Sequence, residues 1–442
     1  MPWQSALSPF AIACGRFPQK RRVPLNSNQL RKNLIYNTVG NAFYYVSQWL
    51  VTAWLVTGVP LGLQLADGGV ENAGLLATAA TLCNIFINLA GFGMRTYQVS
   101  DTAGEYTDSD YANSRCFTTT VASVLCMGWA IFVGYGDKQL LAVLLFMVFK
   151  MMEPLTDVWH GMLQKAGRMD TIGIAYILRG VISAGTFALA LKLSSSLMLA
   201  LFAMMAATVV LCVLYDRRKA MAISVKSGIE LDRIGQLLVK CLPLAAYAFL
   251  NTASANLPKI YLERLQGVDM AGLYSLVNSP VLILQVGVTY LFSPFITLFA
   301  QKLQQKDRQG FLRMTLTVTG VVFAAGVLGA FGCSLFGKWG LNLLYANDAV
   351  TGLSILLYPM VVGVVFNCLS IFWCMLLTVL REMRGLIWAN VAGIVTAALI
   401  SGPLIRRYAL AGTSYASILA MMVQCVCLGV FGWRALQNQT QQ

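Results

Sequence analysis

Apolar residues run along this chain in continuous blocks rather than in strand-like alternation. A block of about twenty such residues suits a helix that crosses a hydrocarbon core about 30 Å thick. On that rule the sequence predicts twelve spans, at 36–57, 74–94, 116–136, 139–162, 171–192, 195–215, 238–258, 271–299, 314–336, 351–378, 385–405 and 410–433. The block at 271–299 is long and holds Pro280 and Pro294, which predicts one kinked helix reaching past the membrane. The predicted class is all-α: a polytopic membrane protein of about twelve transmembrane helices, in two six-helix bundles around a central cavity.

The polar positions divide the spans. The segment 216–237 is the longest inner linker and separates six spans from six. The expected organisation is a flexible cytoplasmic tail at 1–30, an N-terminal bundle at 31–215, the linker, and a C-terminal bundle at 238–442. A trace of duplication supports the division. Glu71-Asn72-Ala73-Gly74-Leu75 opens the second span and Asp269-Met270-Ala271-Gly272-Leu273 opens the eighth.

Composition agrees with the pattern. The 442 residues are 57% hydrophobic and 11% charged, where a soluble domain is nearer a quarter charged. The net charge of +14 would suggest nucleic acid in a soluble protein. Here it fits basic inner loops beside anionic lipid, so no nucleic-acid partner is expected. With the N-terminus inside, only Lys138, Lys192, Lys259, Arg264, Lys338, Arg406 and Arg407 fall in outer segments, and Lys150 and Arg179 fall within spans. That asymmetry predicts N- and C-termini on the cytoplasmic side. The N-terminal charges follow a short apolar patch, the reverse of a signal peptide. Most of the eleven cysteines lie in apolar blocks and form no paired C-x-x-C zinc pattern. No Gly-rich phosphate loop is present. No cofactor is implied, with H⁺ or Na⁺ left open as a coupling ion.

The candidate chemistry sits in the fourth span. Lys150, Glu153, Asp157 and His160 follow at helical spacing and stack on one face. A charge at membrane depth costs roughly 2.5–3.5 kcal/mol or more, so such groups mark a wet or protein-lined interior. Lys150 is expected near the midplane, about 17 Å from the outer end of its span. Arg179, about 12 Å into the next span, is expected at the depth of Glu153. Lys150 and Arg179 suit an anionic group such as a diphosphate; Glu153 and Asp157 suit counter-charges or carriers of a coupling ion. Pro154 removes a helical hydrogen bond to Lys150 and is the expected hinge. His160 is expected near the cytoplasmic surface, in packing rather than proton transfer. Arg95, with Gln98 and Asp101, is expected at the cytoplasmic mouth as a headgroup-entry site or an ordinary interfacial loop. Asn41, one turn after Asn37, either joins helices or lines a wet face.

These residues carry a resemblance. Tyr97-Gln98-Val99-Ser100-Asp101 follows the second span. The fourth carries Lys150-x-x-Glu153-x-x-x-Asp157-x-x-x-Gly161-x-x-Gln164, then Arg168-Met169-Asp170 and Arg179-Gly180. Asn256-Leu257-Pro258-Lys259 and Gly272-Leu273-Tyr274 extend it. The chain after residue 30 resembles the bacterial polysaccharide and O-antigen flippases of the multidrug/oligosaccharidyl-lipid/polysaccharide exporter superfamily. The resemblance implies a non-enzymatic flippase of the bacterial inner membrane that moves an undecaprenyl-diphosphate-linked oligosaccharide to the outer leaflet for lipopolysaccharide or other surface polysaccharide. It implies a cationic cavity in which Lys150 and Arg179 meet the diphosphate or sugar acids while the polyprenyl tail stays in lipid. Partners would be membrane lipids and the glycan polymerase and glycosyltransferases of the pathway. The acids here are as dense as the cations, which leaves the sign of the cavity open. An ion-coupled small-molecule exporter of the same fold is the alternative. A glycan polymerase or ligase fits less well, because the longest outer segments, 58–73 and 337–350, contain neither Arg nor His.

Overall fold

The computed structural model describes residues 27–65, 68–101, 105–223, 231–305, 307–380 and 382–439. Most of the expected tail at 1–30 and the middle of the expected linker lie outside the described residues.

The regular elements among the described residues are helices. They are α1 (Ser27–Trp49), α2 (Val70–Gly91), α3 (Met94–Ser100), α4 (Asp108–Val133), α5 (Asp137–Lys165), α6 (Met169–Ser194), α7 (Leu197–Leu211) and α8 (Arg218–Met221). They continue as α9 (Leu231–Gln266), α10 (Val268–Gln304), α11 (Arg308–Tyr345), α12 (Asp348–Gly352), α13 (Leu357–Val379) and α14 (Met383–Gln439). Eight described stretches are long and apolar enough to cross a membrane: Val70–Gly91, Asp108–Val133, Met169–Ser194, Leu197–Met221, Asp232–Gln266, Arg308–Tyr345, Ser354–Val379 and Met383–Gln437. At 57 residues, α14 would exceed the bilayer more than twofold at about 1.5 Å per residue. It breaks at Ala409, whose φ of 47° lies in the left-handed region, and so supplies two of the expected spans. Its halves then pack closely, since a Cβ on Gly412 would lie 2.8 Å from Ile405 Cα. With α14 as two, each expected span has its helix, and the chain is an all-α, multi-pass membrane protein.

Several helices begin upstream of the apolar block that announced them. A capping box starts α4, with Thr107 Oγ1 accepting from Asp110 N–H at 3.2 Å and Asp110 Oδ2 accepting from Thr107 N–H at 2.9 Å. Asp307 caps α11 by accepting from Gly310 N–H at 2.8 Å and takes Lys302 Nζ at 2.6 Å. The Lys302 ammonium and then the Gly310 N–H hold the Asp307 carboxyl below the usual carboxylate range. Its cap is therefore present at neutral pH and lost as pH falls through the acid range.

Chain packing forms two compact units. The first combines the described parts of Met1–Val51 and Phe86–Ala248. Its inner core joins Phe92, Met94, Tyr106, Tyr111, Val158, Met162, Ala220, Leu237, Cys241 and Ala245. Here α1 lies on α6 backbone to backbone. A Cβ on Gly40 would lie 2.7 Å from Gly173 Cα, and one on Gly173 would fall within the backbone of Tyr36 and Asn37. Gly173→Val is expected to destabilise the protein by at least the roughly 1–3 kcal/mol of ordinary overpacking. Thermal unfolding in detergent checks this, with Gly128→Val as control, because nothing lies within 4 Å of a Cβ at Gly128.

The second unit combines the described parts of Thr52–Ile85 and Phe249–Gln442. It brings the two repeated Ala-Gly-Leu segments together: a Cβ on Gly272 would lie 2.8 Å from Gly74 N. A neutral buried network also holds it. Gln424 Nε2 donates to Asn251 Oδ1 at 2.9 Å and to Asn390 Oδ1 at 2.7 Å, and Ser254 Oγ donates to Gln424 Oε1 at 3.2 Å. Both units carry exposed apolar side chains, among them Phe132, Leu193, Leu328, Trp339, Leu399 and Val426, as a hydrocarbon solvent requires.

Candidate functional site

The ionisable side chains of α5 meet partners from α1, α3, α4, α6 and the turn after α7, all within the first unit. They form three centres along one helix.

The first is Glu153. Its Oε1 accepts from Lys150 Nζ at 2.5 Å and from the Tyr44 hydroxyl at 2.6 Å. Both charges of the pair keep some solvent exposure. The sequence reading missed Tyr44, which sits three residues after Asn41 on α1. Asn41 itself bonds back to its own helix, at 2.9 Å to Asn37 O and 3.2 Å to Asn37 Oδ1, and is not joined to the charges.

The second centre is fully buried. Arg179 donates from Nη2 to Asp216 Oδ2 at 3.1 Å and to Thr156 Oγ1 at 2.9 Å. Its guanidinium carbon lies 5.9 Å from the ring centroids of Tyr44 and of Tyr176, within cation–π range. Arg179 and Glu153, expected to share a depth, are thus linked through Tyr44. The other Asp216 oxygen lies 2.8 Å from His160 Nε2, and His160 packs edge-on to Tyr176. Arg179, Asp216 and His160 are each 1% exposed.

His160 is buried inside the unit beside Asp216 and Tyr176. One expectation changes here. Asp216, expected at the start of the linker, lies in a π-helical turn, Cys212–Arg217, that continues α7 into α8. π-turns occur mostly as single-turn insertions in α-helices and are frequent at functional sites. The signal for the linker was the following Arg217-Arg218-Lys219, which reads as a solvated run.

The third centre is Asp157. Arg95 Nη1 donates to Oδ1, and Arg115 Nη2 lies 3.2 Å from Oδ2. Arg95 also donates to Gln164 Oε1 at 2.8 Å. Arg115 donates to the Ala90 and Gly91 carbonyls and is 1% exposed. It had been counted in an inner loop, because the apolar block begins at 116 whereas α4 begins at Asp108. Arg95 therefore joins α5 rather than lying apart. Pro154 is buried within α5, which stays helical across it from Asp137 to Lys165.

The charges nearly cancel. Lys150, Arg179, Arg95 and Arg115 face Glu153, Asp216 and Asp157. With His160 neutral the cluster keeps one positive charge, located at Asp157, where two guanidinium groups share one carboxylate. Three buried atoms of the cluster also remain without a hydrogen-bond partner among the described residues: His160 Nδ1, Arg179 Nε and Arg115 Nε. No group of three His, Cys, Asp or Glu among the described residues is placed to hold a metal ion. Such a cluster can bind an anion at its partly exposed cations, Lys150 and Arg95.

Known proteins share both sequence and fold with this chain. Residues 39–301 match the family described as polysaccharide biosynthesis protein. The capsular polysaccharide biosynthesis protein CapF of Staphylococcus aureus is 21% identical over 320 residues, which are 72% of this chain and 78% of CapF. An inward-facing multidrug resistance MATE family transporter of the MOP superfamily superposes with a TM-score of 0.63 at 11% identity, over 99% of each chain. The lipid II flippase MurJ in an inward closed conformation gives 0.65 at 10% identity, over 94% of this chain and 91% of that one. The Vibrio cholerae MATE transporter VcmN in its bent form gives 0.58 at 11%, over 93% and 98%. At these identities the solved structures share the fold. The family match covers more than half of the sequence: the chain belongs to the polysaccharide biosynthesis protein family and has the fold of MOP-superfamily transporters and flippases.

Proposed function

We propose that this protein is a flippase that moves a polyprenyl-diphosphate-linked oligosaccharide from the inner to the outer leaflet of the bacterial plasma membrane by alternating access. Its termini are cytoplasmic, and it works beside the glycosyltransferases and the glycan polymerase of a surface-polysaccharide pathway, O-antigen among the candidates. The observation that carries this reading is the charged cluster along α5 in a member of the polysaccharide biosynthesis family.

The chemistry follows from counter-ion exchange. Lys150 is held by Glu153 and keeps some exposure. A diphosphate or sugar acid entering beside it takes over its ammonium. The released Glu153 carboxylate, beside the Tyr44 hydroxyl, is then the carrier of the coupling ion, and departure of the substrate restores the Lys150–Glu153 pair. Anion movement is thereby linked to proton movement, with Asp157 as the second carboxylate. Pro154, within one turn of Lys150, is the proposed hinge.

The test is complementation of a strain in which the gene is disrupted. Wild type restores surface polysaccharide. Lys150→Ala, at equal membrane abundance, is expected to lower it at least about tenfold, the scale of one lost charge-assisted contact. Glu153→Gln is expected to retain anion binding and lose the response to a proton gradient. Normal surface polysaccharide from Lys150→Ala would overturn the assignment of the site. An unchanged surface glycan in the disrupted strain, together with transport of a soluble cation, would favour a small-molecule exporter.

A further inference from the structure

The second unit holds a cation of a different kind. Lys259 was expected to mark the outer end of its span, but α9 runs on to Gln266, so about 10 Å of helix lies beyond it. It is half-buried. Among the described residues its ammonium has one hydrogen bond, to Asn256 Oδ1 at 3.5 Å, the long limit for such a contact. No described carboxylate lies within ion-pair range of it. Lys150, Arg179, Arg95 and Arg115 each have one. Asn256 Nδ2 donates to Thr252 O at 2.9 Å, which fixes the carboxamide with its oxygen toward Lys259. The Asn256-Leu257-Pro258-Lys259 segment thus presents a positioned ammonium with no counter-ion among the described residues.

A lysine within a membrane span is costly when no acid pairs with it and marks a functional contact; even Glu263, four residues on along α9, makes no ion pair with Lys259. The absent counter-charge is supplied most simply by a ligand. We infer that Lys259 is an anion-binding residue of the second unit, taking a phosphate-type or carboxylate group of the transported molecule, with Asn256 as its positioning residue. The identity of that molecule rests on the flippase reading; the anion site does not. Lysine suits this role as a point charge with three rotatable donors, able to follow an anion as the protein changes state.

The experiment uses the purified full-length protein in detergent, with affinities measured by titration calorimetry. The probes are farnesyl diphosphate, inorganic pyrophosphate and glucuronate, with uncharged farnesol as reference. Wild type is expected to bind at least one anionic probe more tightly than farnesol. Lys259→Met is expected to weaken that binding about tenfold or more, as loss of a charge-assisted contact does. Lys259→Arg retains the charge and is expected to stay within about threefold. Lys338→Met, at an exposed position of α11, is expected to bind as wild type. Preference for pyrophosphate over glucuronate identifies a diphosphate site, and the reverse a sugar-acid site. Thermal melts confirm that the variants fold, and Lys259→Arg carries the comparison if Lys259→Met does not. Equal binding by wild type and Lys259→Met, or a wild type that binds no anionic probe, would overturn the inference. Unchanged surface glycan in the disrupted strain would remove the flippase reading while leaving this binding result to stand or fall by itself.

Discussion

Asp216→Ala is expected to leave little folded protein in the membrane. Asp216 is the shared acceptor of Arg179 and His160, and all three side chains are 1% exposed. Removing the carboxylate strands a guanidinium in the interior, and breaking one side of a buried pair costs about 3–5 kcal/mol. That is a large part of the roughly 5–15 kcal/mol by which proteins are stable. Asp216→Asn is expected to do less damage, because its carbonyl oxygen still accepts from Arg179. The double variant Asp216→Leu with Arg179→Met removes both charges and is expected to recover most of the stability, as apolar replacements of buried pairs do. Fluorescence-detected gel filtration after heating measures all three. If the single and double variants were equally unstable, the centre would not be a coupled pair. A double variant that folds but restores no surface polysaccharide would give the pair a part in transport beyond stability.

The second large effect is expected at Asp157. It is the one carboxylate facing both Arg95 and Arg115, and Arg115 is as buried as Arg179. Asp157→Ala leaves two guanidinium groups side by side, one of them without water. A loss of about 3–5 kcal/mol is expected here too, with mutual repulsion added. Arg115→Met alone, in protein that keeps Asp157, leaves a one-to-one pair of Arg95 and Asp157. Arg115→Met is therefore expected to be far milder than Asp157→Ala, and thermal unfolding of the two variants distinguishes them. Equal losses would mean that Asp157 does not compensate both arginines.

The spans were legible because bilayer thickness fixes the length of an apolar block, and nothing subtler was needed for twelve of them. The face of α5 was legible for a similar reason: steps of three and four residues define one side of a helix whatever packs there. What α5 packs against was not. Arg115 and Lys259 lie outside their apolar blocks but inside their helices, since α4 starts at Asp108 and α9 ends at Gln266. The Thr107-x-x-Asp110 capping box carried the missing information for α4. Asp216 was hidden by the basic run after it, since a π-turn has no period to read. The partner of His160, Asp216, is distant in sequence and carries no local signal. The two Ala-Gly-Leu segments were legible as a repeat, but their contact was not: Gly74 and Gly272 meet inside the second unit.

The most direct measurement is translocation in proteoliposomes holding the purified full-length protein and a short-chain polyprenyl diphosphate carrying a lectin-binding oligosaccharide. Lectin accessibility reports which leaflet the glycan occupies. The predicted result is protein-dependent appearance of the glycan in the opposite leaflet, slowed at least about tenfold by Lys150→Ala and made insensitive to a proton gradient by Glu153→Gln. A glycan that stays in its original leaflet while the same vesicles move a soluble organic cation would contradict it.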